Sequence, residues 1–585
     1  MPAESSSTGD RPDIACEPRA PVDIGQGFLV DVSEASGIQV GNYDEMPAEG
    51  TAINDHSRLA FADIDGDGFD DAVMHSLYPN AVAGVPLEHL VFRNLGDGTF
   101  EDVTDASGLR GVQAGFFAFG DVDDDGDQDV FAGVDIPDYP NDGNLLLLND
   151  GSGHFEVVAD AGVSIGSDSA ANATFGDFDR DGTLDLFVGY GGTSRAVADR
   201  LFAGNGDGTF ADQTAALQDA PVGQPANGSI TCDWDDDLDL DIFVSNYGVS
   251  LSHGHNHQWR NDGSGLFTEV GLQTGFAAQI TGNYWLGATR MGTIPEPDVE
   301  LVDAVGSNGF GIDCGDVDND GDLDVLATAI SHPVAGDYLR TWSDPSTLLV
   351  NGGSAEDFAL TNVWLESGLP FNEGDIDGAF VDFDNDGRLD ISLSRESKYE
   401  ANYDDPEQHG WFGLAQQDDS GGFTSVGLRS GINDSATPFA RMKGAQNHAW
   451  SDVDHDGDLD LLVGGRDQGG GRPNFLFRND VGQDNRWLAV RITGDGEAVT
   501  RDAFGTRVRL RSPTDERVLL REKKSSRGTY NSEDTRVLHF GLGDFPCDYT
   551  LDVRWPDGSA ASFTADQLGE NRYVQVSYPD VLALE

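Results

Sequence analysis

The sequence predicts an all-β fold: a seven-bladed β-propeller closed by an N-terminal strand and followed by a small C-terminal β domain. Three observations point there. The pattern Asp-x-Asp-x-Asp-Gly-x-x-Asp, with Leu in place of Gly in the fourth copy, recurs seven times ahead of a short apolar run, beginning at Asp63, Asp121, Asp177, Asp233, Asp316, Asp382 and Asp452. Successive copies stand 58, 56, 56, 83, 66 and 70 residues apart, room for about four strands each. A chain of 585 residues is also too long for one core unless a repeat extends it, and its 75 Gly and 32 Phe suit short strands joined by tight turns.

Residues 1–26 are polar and contain proline, and they read as a disordered leader of the kind that follows a removed export signal. The propeller is expected over 27–482. Each loop is approached by a strand of small residues next to an aromatic, as in Ala-Phe-Ala at 60–62, Ala-Phe-Gly at 118–120 and Thr-Phe-Gly at 174–176. An apolar run follows it, such as Val130 to Val134, Leu184 to Val188 or Leu459 to Val463. A hairpin comes next, as in Asn-Asp-Gly-Ser-Gly-His-Phe at 149–155, whose glycines supply the positive φ that tight turns require. The last hairpin, at Asn474–Asn479, lacks a partner strand of its own, and Phe28-Leu-Val-Asp-Val32 is the expected substitute, which would remove both sheet edges. Beyond residue 483 the composition changes: the segment 483–585 carries 14 basic and 17 acidic residues, so nearly all the excess charge lies before it. Alternating runs such as Trp487–Ile492, Thr506–Leu510 and Leu551–Trp555 read as strands of a separate β domain.

A formal charge of −70 excludes nucleic acid and anionic membrane as default partners, since both need a basic footprint. No stretch approaches the roughly 18 apolar residues of a membrane helix. The four cysteines, Cys16, Cys232, Cys314 and Cys547, have no Cys-x-x-Cys spacing, which argues against a zinc knuckle or a dithiol redox site. Cys232 and Cys314 occupy nearly equivalent places in successive repeats and read as small buried thiols, with a bridge between them as the alternative. Asn172-Ala-Thr174 and Asn227-Gly-Ser229 match the glycosylation pattern but fall in expected inner strands.

Four carboxylates within nine residues repel one another unless a hard cation gathers them, and oxygen ligands at alternating positions are what Ca2+ takes. Up to seven ions are expected, neutralising about 14 of the 28 loop acids. An EF-hand would need a Glu at position twelve and flanking helices, whereas each loop here ends at an Asp in position nine and runs into a strand. Glycine at position six, Gly68, Gly126, Gly182, Gly321, Gly387 or Gly457, allows the sharp turn. The fourth loop, Asp233 to Asp241, has Leu238 there and is expected to be the weakest or most distorted site. Low-affinity calcium loops need the millimolar calcium found outside cells, so a secreted or extracytoplasmic protein is expected.

The seven loops with their Phe-Gly-Asp approaches resemble the FG-GAP or VCBS repeats of integrin α-type propellers. The tail resembles the ASPIC/UnbV domain through Asn485-Arg-Trp-Leu488, Arg501-Asp-Ala-Phe-Gly505, Arg527-Gly-Thr-Tyr-Asn-Ser532, His539-Phe-Gly-Leu-Gly543 and Trp555-Pro-Asp-Gly558. Together they cover about residues 28–580 and resemble the cartilage acidic protein family, including its bacterial relatives. The resemblance implies a secreted calcium-binding propeller with an interaction role, and no catalytic residue is carried over from it. It further implies side-chain ligands at loop positions one, three, five and nine, and a carbonyl at seven. In this chain those side chains are Asp63, Asp65, Asp67 and Asp71; Asp121, Asp123, Asp125 and Asp129; Asp177, Asp179, Asp181 and Asp185; and Asp233, Asp235, Asp237 and Asp241. The last three loops supply Asp316, Asp318, Asp320 and Asp324; Asp382, Asp384, Asp386 and Asp390; and Asp452, Asp454, Asp456 and Asp460.

Two further clusters are candidates for a second metal or ligand site. His253, His255 and His257 alternate, so in a strand they share one face and suit a transition metal. Counting back from the loops, Arg58, Asp313, Asp377 and Asn447 would give an axial channel polar groups for a small molecule or cation, or simply a water-filled lining. No nucleophile elbow, phosphate loop, dinucleotide fingerprint or His-Glu-x-x-His motif is present. The reading is therefore a secreted protein- or carbohydrate-binding or adhesion module with structural calcium, and its rival is an extracellular enzyme using the axial pocket or the histidine cluster.

Overall fold

A computed structural model describes residues 16, 18–38, 58–75, 89–112, 114–134, 143–164, 170–190, 198–218, 225–247, 255–277, 309–330, 346–369, 374–395, 411–434, 445–465, 474–529 and 531–585. These residues form nine four-stranded sheets, and the only α-helices among them are the single turns Gly271–Thr274 and Ala565–Leu568. The first seven sheets are antiparallel and follow the repeats in order. Each begins with the strand before an acidic loop and continues with the strand after it: Leu59–Ala62 and Asp71–His75, Phe116–Gly120 and Asp129–Gly133, Ala170–Gly176 and Asp185–Tyr190, Ala226–Cys232 and Asp241–Asn246. The fifth to seventh open with Gly309–Gly315 and Asp324–Ala329, Asp375–Val381 and Asp390–Arg395, and Ala445–Ser451 and Asp460–Gly465. The seventh sheet takes its fourth strand from the other end of the described chain: Leu29, Val30 and Asp31 pair antiparallel with Asn479, Arg478 and Phe477.

The loop-preceding strands are almost wholly buried, which is why they are built from Ala, Gly, Thr and aromatics. Gly120 shows the constraint. A Cβ there would lie 3.0 Å from the Phe175 ring of the next sheet, so the small residue before the loop makes room for its neighbour's aromatic. Apolar side chains are shared between successive sheets, and the first sheet shares Leu59 and Phe61 with Ala449 and Leu462 of the seventh.

Residues 486–585 contribute the last two sheets. In one, Trp487–Thr493 runs parallel to Tyr573–Ser577, flanked by Leu538–Gly541 and Val581–Leu584; in the other, Arg507–Arg511 is central between Val518–Glu522 and Thr550–Arg554, with Ala560–Thr564 at the edge. Both pack on one core that includes Val490, Leu510, Phe540, Leu551 and Trp555.

Two expectations are corrected here. Cys232 and Cys314 are not thiols but a disulfide, joining the adjacent first strands of the fourth and fifth sheets, and Cys16 pairs with Cys547. Nor is the whole of 1–26 a loose leader. Residues 1–15 lie outside the described residues, but Cys16 is tied to the C-terminal domain, Val22 N–H donates to Asn485 Oδ1 at 2.9 Å, and Ile24 is buried beside Phe28. A polar sequence with few apolar residues hides such anchoring, because one covalent bond and two side chains supply it.

Candidate metal centres and the inserted segment

The acidic loops share one hydrogen-bonded frame. The Asp at position one accepts from the backbone at positions five and six: Asp67 N–H reaches Asp63 Oδ1 at 3.1 Å and Gly68 N–H reaches Oδ2 at 3.0 Å. The Asp at position nine accepts from position two and from the third strand, as Asp71 does from Ile64 N at 3.0 Å and Asn94 N at 2.7 Å. Position four is left-handed in all seven loops, at Gly66, Asp124, Arg180, Asp236, Asn319, Asn385 and His455. Position six is left-handed as well, and Leu238 adopts φ +77° in the fourth loop where the others have glycine.

This frame leaves carboxylate oxygens converging and bare. Oxygens of Asp63, Asp65 and Asp71 lie within 4.8 Å of one another, as do those of Asp121, Asp123 and Asp129, and of Asp177, Asp179 and Asp185. Buried oxygens of Asp65, Asp121, Asp123, Asp384, Asp390 and Asp454 have no hydrogen-bond partner. Burial raises the pKa values sharply: Asp71, Asp121, Asp129 and Asp185 are pushed up to about 8, with neighbouring carboxylates adding to the rise. Without a cation such acids would hold protons at neutral pH. Several bare oxygens gathered on alternate residues are a donor set suited to Ca2+, so the residues fit the expected ion.

Sequence reading missed the residues that join one loop to the next. Asn94, Asn149, Asn261, Asn351 and Asn479 end third strands, and each donates through Nδ2 to the position-eight carbonyl of its own loop and the position-two carbonyl of the preceding one. Asn94 closes the series by reaching Val453 O of the seventh loop at 2.9 Å. Gln417 plays the part in the sixth sheet by reaching Val317 O, whereas the third has Gly204 at that place. The recurring Asn before each hairpin was the visible signal.

The C-terminal domain lies against the loops of all seven sheets. Arg491 donates to Gly68 O, Asp502 accepts from Asp121 N at 2.8 Å, Gly182 abuts Glu497, and Val518 N donates to Asn319 O at 2.9 Å. Gly541 N reaches Asp382 Oδ2 at 3.1 Å and Tyr573 Oη reaches Asp452 Oδ2 at 2.7 Å. The fourth loop meets a cluster of arginines. Buried Arg507 faces Asp233 at 3.5 Å, and Asp236 accepts from Arg507, from Arg509 at 2.9 Å and from Arg554 at 2.7 Å. Arg260 reaches Asp235 at 2.6 Å and Arg180 pairs with Asp239. Here Asp233, Asp235 and Asp237 converge within 4.8 Å of one another.

The polar groups expected around an axial channel are instead engaged within the chain. Residues 524–535 reach the first strands of all seven sheets: Glu533 O accepts from Phe61 N, its Oε1 accepts from Phe119 N, Asn531 Oδ1 accepts from Ala173 N, and Thr529 bridges to Gly228. Gly528 N donates to Ile312 O, Thr529 Oγ1 to Ile376 O and Thr535 N to Trp450 O. A segment bonded to seven first strands lies at their common centre. Asp313 accepts from Lys524 Nζ at 2.5 Å. Asp377 accepts from Ser532 Oγ at 3.0 Å and Arg527 at 3.1 Å, and Asn447 Nδ2 donates to Ser532 Oγ at 2.8 Å. Arg58, 3% exposed, donates to Gly115 O. The structure therefore brings Asp313, Asp377 and Asn447 together around this insert, because their partners sit 85 to 211 residues away in the C-terminal domain, beyond any local pattern. Of the histidines, His255 and His257 are close neighbours, while His253 lies outside the described residues. Asn172 and Asn227 are buried.

Residues 496–582 match the ASPIC and UnbV family, and residues 121–188 match the FG-GAP-like repeat. Cartilage acidic protein 1 of Xenopus tropicalis is 24% identical over 348 residues, which is 58% of this chain and 43% of that protein. The Mus musculus protein of the same name is 31% identical over 137 residues, 22% of this chain and 19% of its own. The chain thus spans less than half the length of these relatives. Among solved structures, a rhamnogalacturonan lyase of Bacillus licheniformis is similar at 14% identity and a TM-score of 0.35, covering 75% of this chain and 76% of the other. The V. cholerae biofilm matrix protein Bap1 is similar at 11% identity and a TM-score of 0.29, covering 91% and 88%. At such scores neither likeness bears on the site. The chain carries an FG-GAP-like repeat and a C-terminal ASPIC and UnbV domain, and it is a homologue of cartilage acidic protein 1.

Proposed function

We propose that this is a secreted, calcium-stabilised, seven-bladed propeller over residues 27–482, closed by its N-terminal strand and joined to a β domain over 483–585, which binds protein or carbohydrate as an adhesion module. The observation that carries the reading is where the polar groups are spent. The loops are turned toward the C-terminal domain and the central acids toward residues 524–535, so the acidic sites hold the molecule together and leave recognition to other surfaces. Two disulfides fit an oxidising compartment, and no helix among the described residues is long and apolar enough to cross a membrane. Calcium bound by the loop aspartates would neutralise their mutual repulsion and pin the start of each second strand.

The test is a binding screen of the calcium-loaded full chain against extracellular proteins and polysaccharides. Saturable, chelator-sensitive capture with the ligand recovered unchanged is the expected result. Recovery of shortened or chemically altered ligand would favour the extracellular-enzyme reading instead.

A further inference from the structure

His257 begins the third strand of the fourth sheet and is 1% exposed, yet neither Nδ1 nor Nε2 has a hydrogen-bond partner. A buried imidazole ordinarily satisfies at least one nitrogen, since leaving a polar group bare costs about 1–3 kcal/mol. His255 stands two residues earlier, half-buried, with its ring centroid 5.1 Å from that of His257 and its plane at 90°. Asn246 on the neighbouring strand donates through Nδ2 to His255 O at 2.8 Å, and its own Oδ1 is buried without a partner. A neutral imidazole carries one lone-pair nitrogen and one N–H, so His257 and Asn246 leave two acceptors and one donor bare at this end of the sheet, and the lone pairs are suited to a cation.

We propose that His255 and His257 form a binding site for a borderline-soft divalent ion, Zn2+ or Cu2+, separate from the calcium loops. A metal–nitrogen bond of about 2.0–2.1 Å, with the ring centre roughly 1 Å further out, places two imidazole centroids about 5 Å apart on a tetrahedral ion. The observed separation of 5.1 Å matches. Asn246 Oδ1 and water are suited to the remaining positions. Imidazole selects Zn2+ and Cu2+ over Ca2+, whereas the carboxylate loops have the opposite preference, so the two classes of site do not compete.

Cobalt discriminates between them, because tetrahedral Co2+ on imidazole absorbs strongly in the visible and octahedral Co2+ on oxygen does so weakly. The full chain, held in saturating calcium, is titrated with Co2+ and then with Zn2+. One equivalent of intense absorption, abolished by one equivalent of Zn2+, is expected. In His255→Ala, whose side chain is only half-buried, the Zn2+ affinity should fall at least tenfold while the calcium-loaded melting temperature stays within a few degrees. His257→Gln, checked for an unchanged melt, should lose the band entirely. A wild-type protein with no tetrahedral band, or a band that survives both substitutions, would overturn the proposal.

Discussion

The fourth and sixth loops carry the same alternating aspartates and solve the same repulsion in opposite ways. In the sixth, Asp382, Asp384, Asp386 and Asp390 are at most 3% exposed, Gly387 supplies the left-handed turn, and two guanidiniums stand close, Arg388 on Asp386 and Arg521 at 4.0 Å from Asp382. Burial and the other acids push Asp382, Asp384 and Asp386 up to about 7 and Asp390 well above its usual range. In the fourth, three arginines from two strands of the C-terminal domain, together with Arg260 of the fourth sheet and Arg180 of the third loop, crowd the loop, and Asp236 is held below the usual carboxylate range despite its partial burial. The fourth loop is thus balanced by guanidinium from the same chain, whereas the sixth keeps an excess of carboxylate that is suited to an ion from solution. Leu238, left-handed without being glycine, belongs to the loop balanced by guanidinium.

Chelation should separate the two most sharply. An ion held at a hundred times its dissociation constant stabilises by about 2.7 kcal/mol, so stripping several of them should lower the melting temperature by tens of degrees. A calorimetric scan with and without EGTA checks this, and unchanged melting would remove calcium from the structural account. Arg507→Met should destabilise by about 3–5 kcal/mol, because it leaves Asp233 and Glu522 buried without their cation. That loss should persist in EGTA, which denaturant melts would read. Asp384→Asn should erase one calcium from the stoichiometry and about 2–3 kcal/mol of calcium-loaded stability, while Asp235→Asn should change the count little. Equal losses from both would break the contrast.

The calcium-free protein should also invert the usual pH dependence. Asp71, Asp121, Asp129 and Asp185 rise from about 4 unfolded to about 8 folded, so the native state binds more protons between those values. Their contribution is complete below pH 4 and is lost as the pH climbs through 8; melts in EGTA at pH 5 and pH 8 should show the lower value at pH 8. With calcium present the order should reverse, since the ion needs deprotonated ligands. The smallest effect belongs to Leu238→Gly, which relieves about 1 kcal/mol of left-handed strain and should tighten any calcium held at the fourth loop by roughly fivefold. Isothermal titration would measure it.

Much of the architecture was legible because it repeats. A short apolar run between each acidic loop and a hairpin reads as a buried strand, and the fourth strand of the last sheet, Leu29–Asp31, was visible as a leftover on one end matching a gap at the other. The loop aspartates were equally plain, since each set is spelled out at alternate positions within nine residues. Less plain were the cross-loop asparagines, which looked like ordinary turn residues until Asn94 was seen to reach Val453. Of the disulfides, Cys232–Cys314 was legible only as an alternative to buried thiols, and Cys16–Cys547 escaped, since nothing local tells Cys16 that Cys547 is its neighbour.

By itself, then, the sequence determined the repeat, its strands and the acidic cages, because each is encoded within a few residues by backbone geometry and charge. Only the tertiary structure decided that residues 524–535 occupy the centre and that Arg507, Arg509 and Arg554 neutralise the fourth loop. Those pairings join groups far apart along the chain, and a charge carries no mark of its distant partner until packing excludes the water that would otherwise screen it.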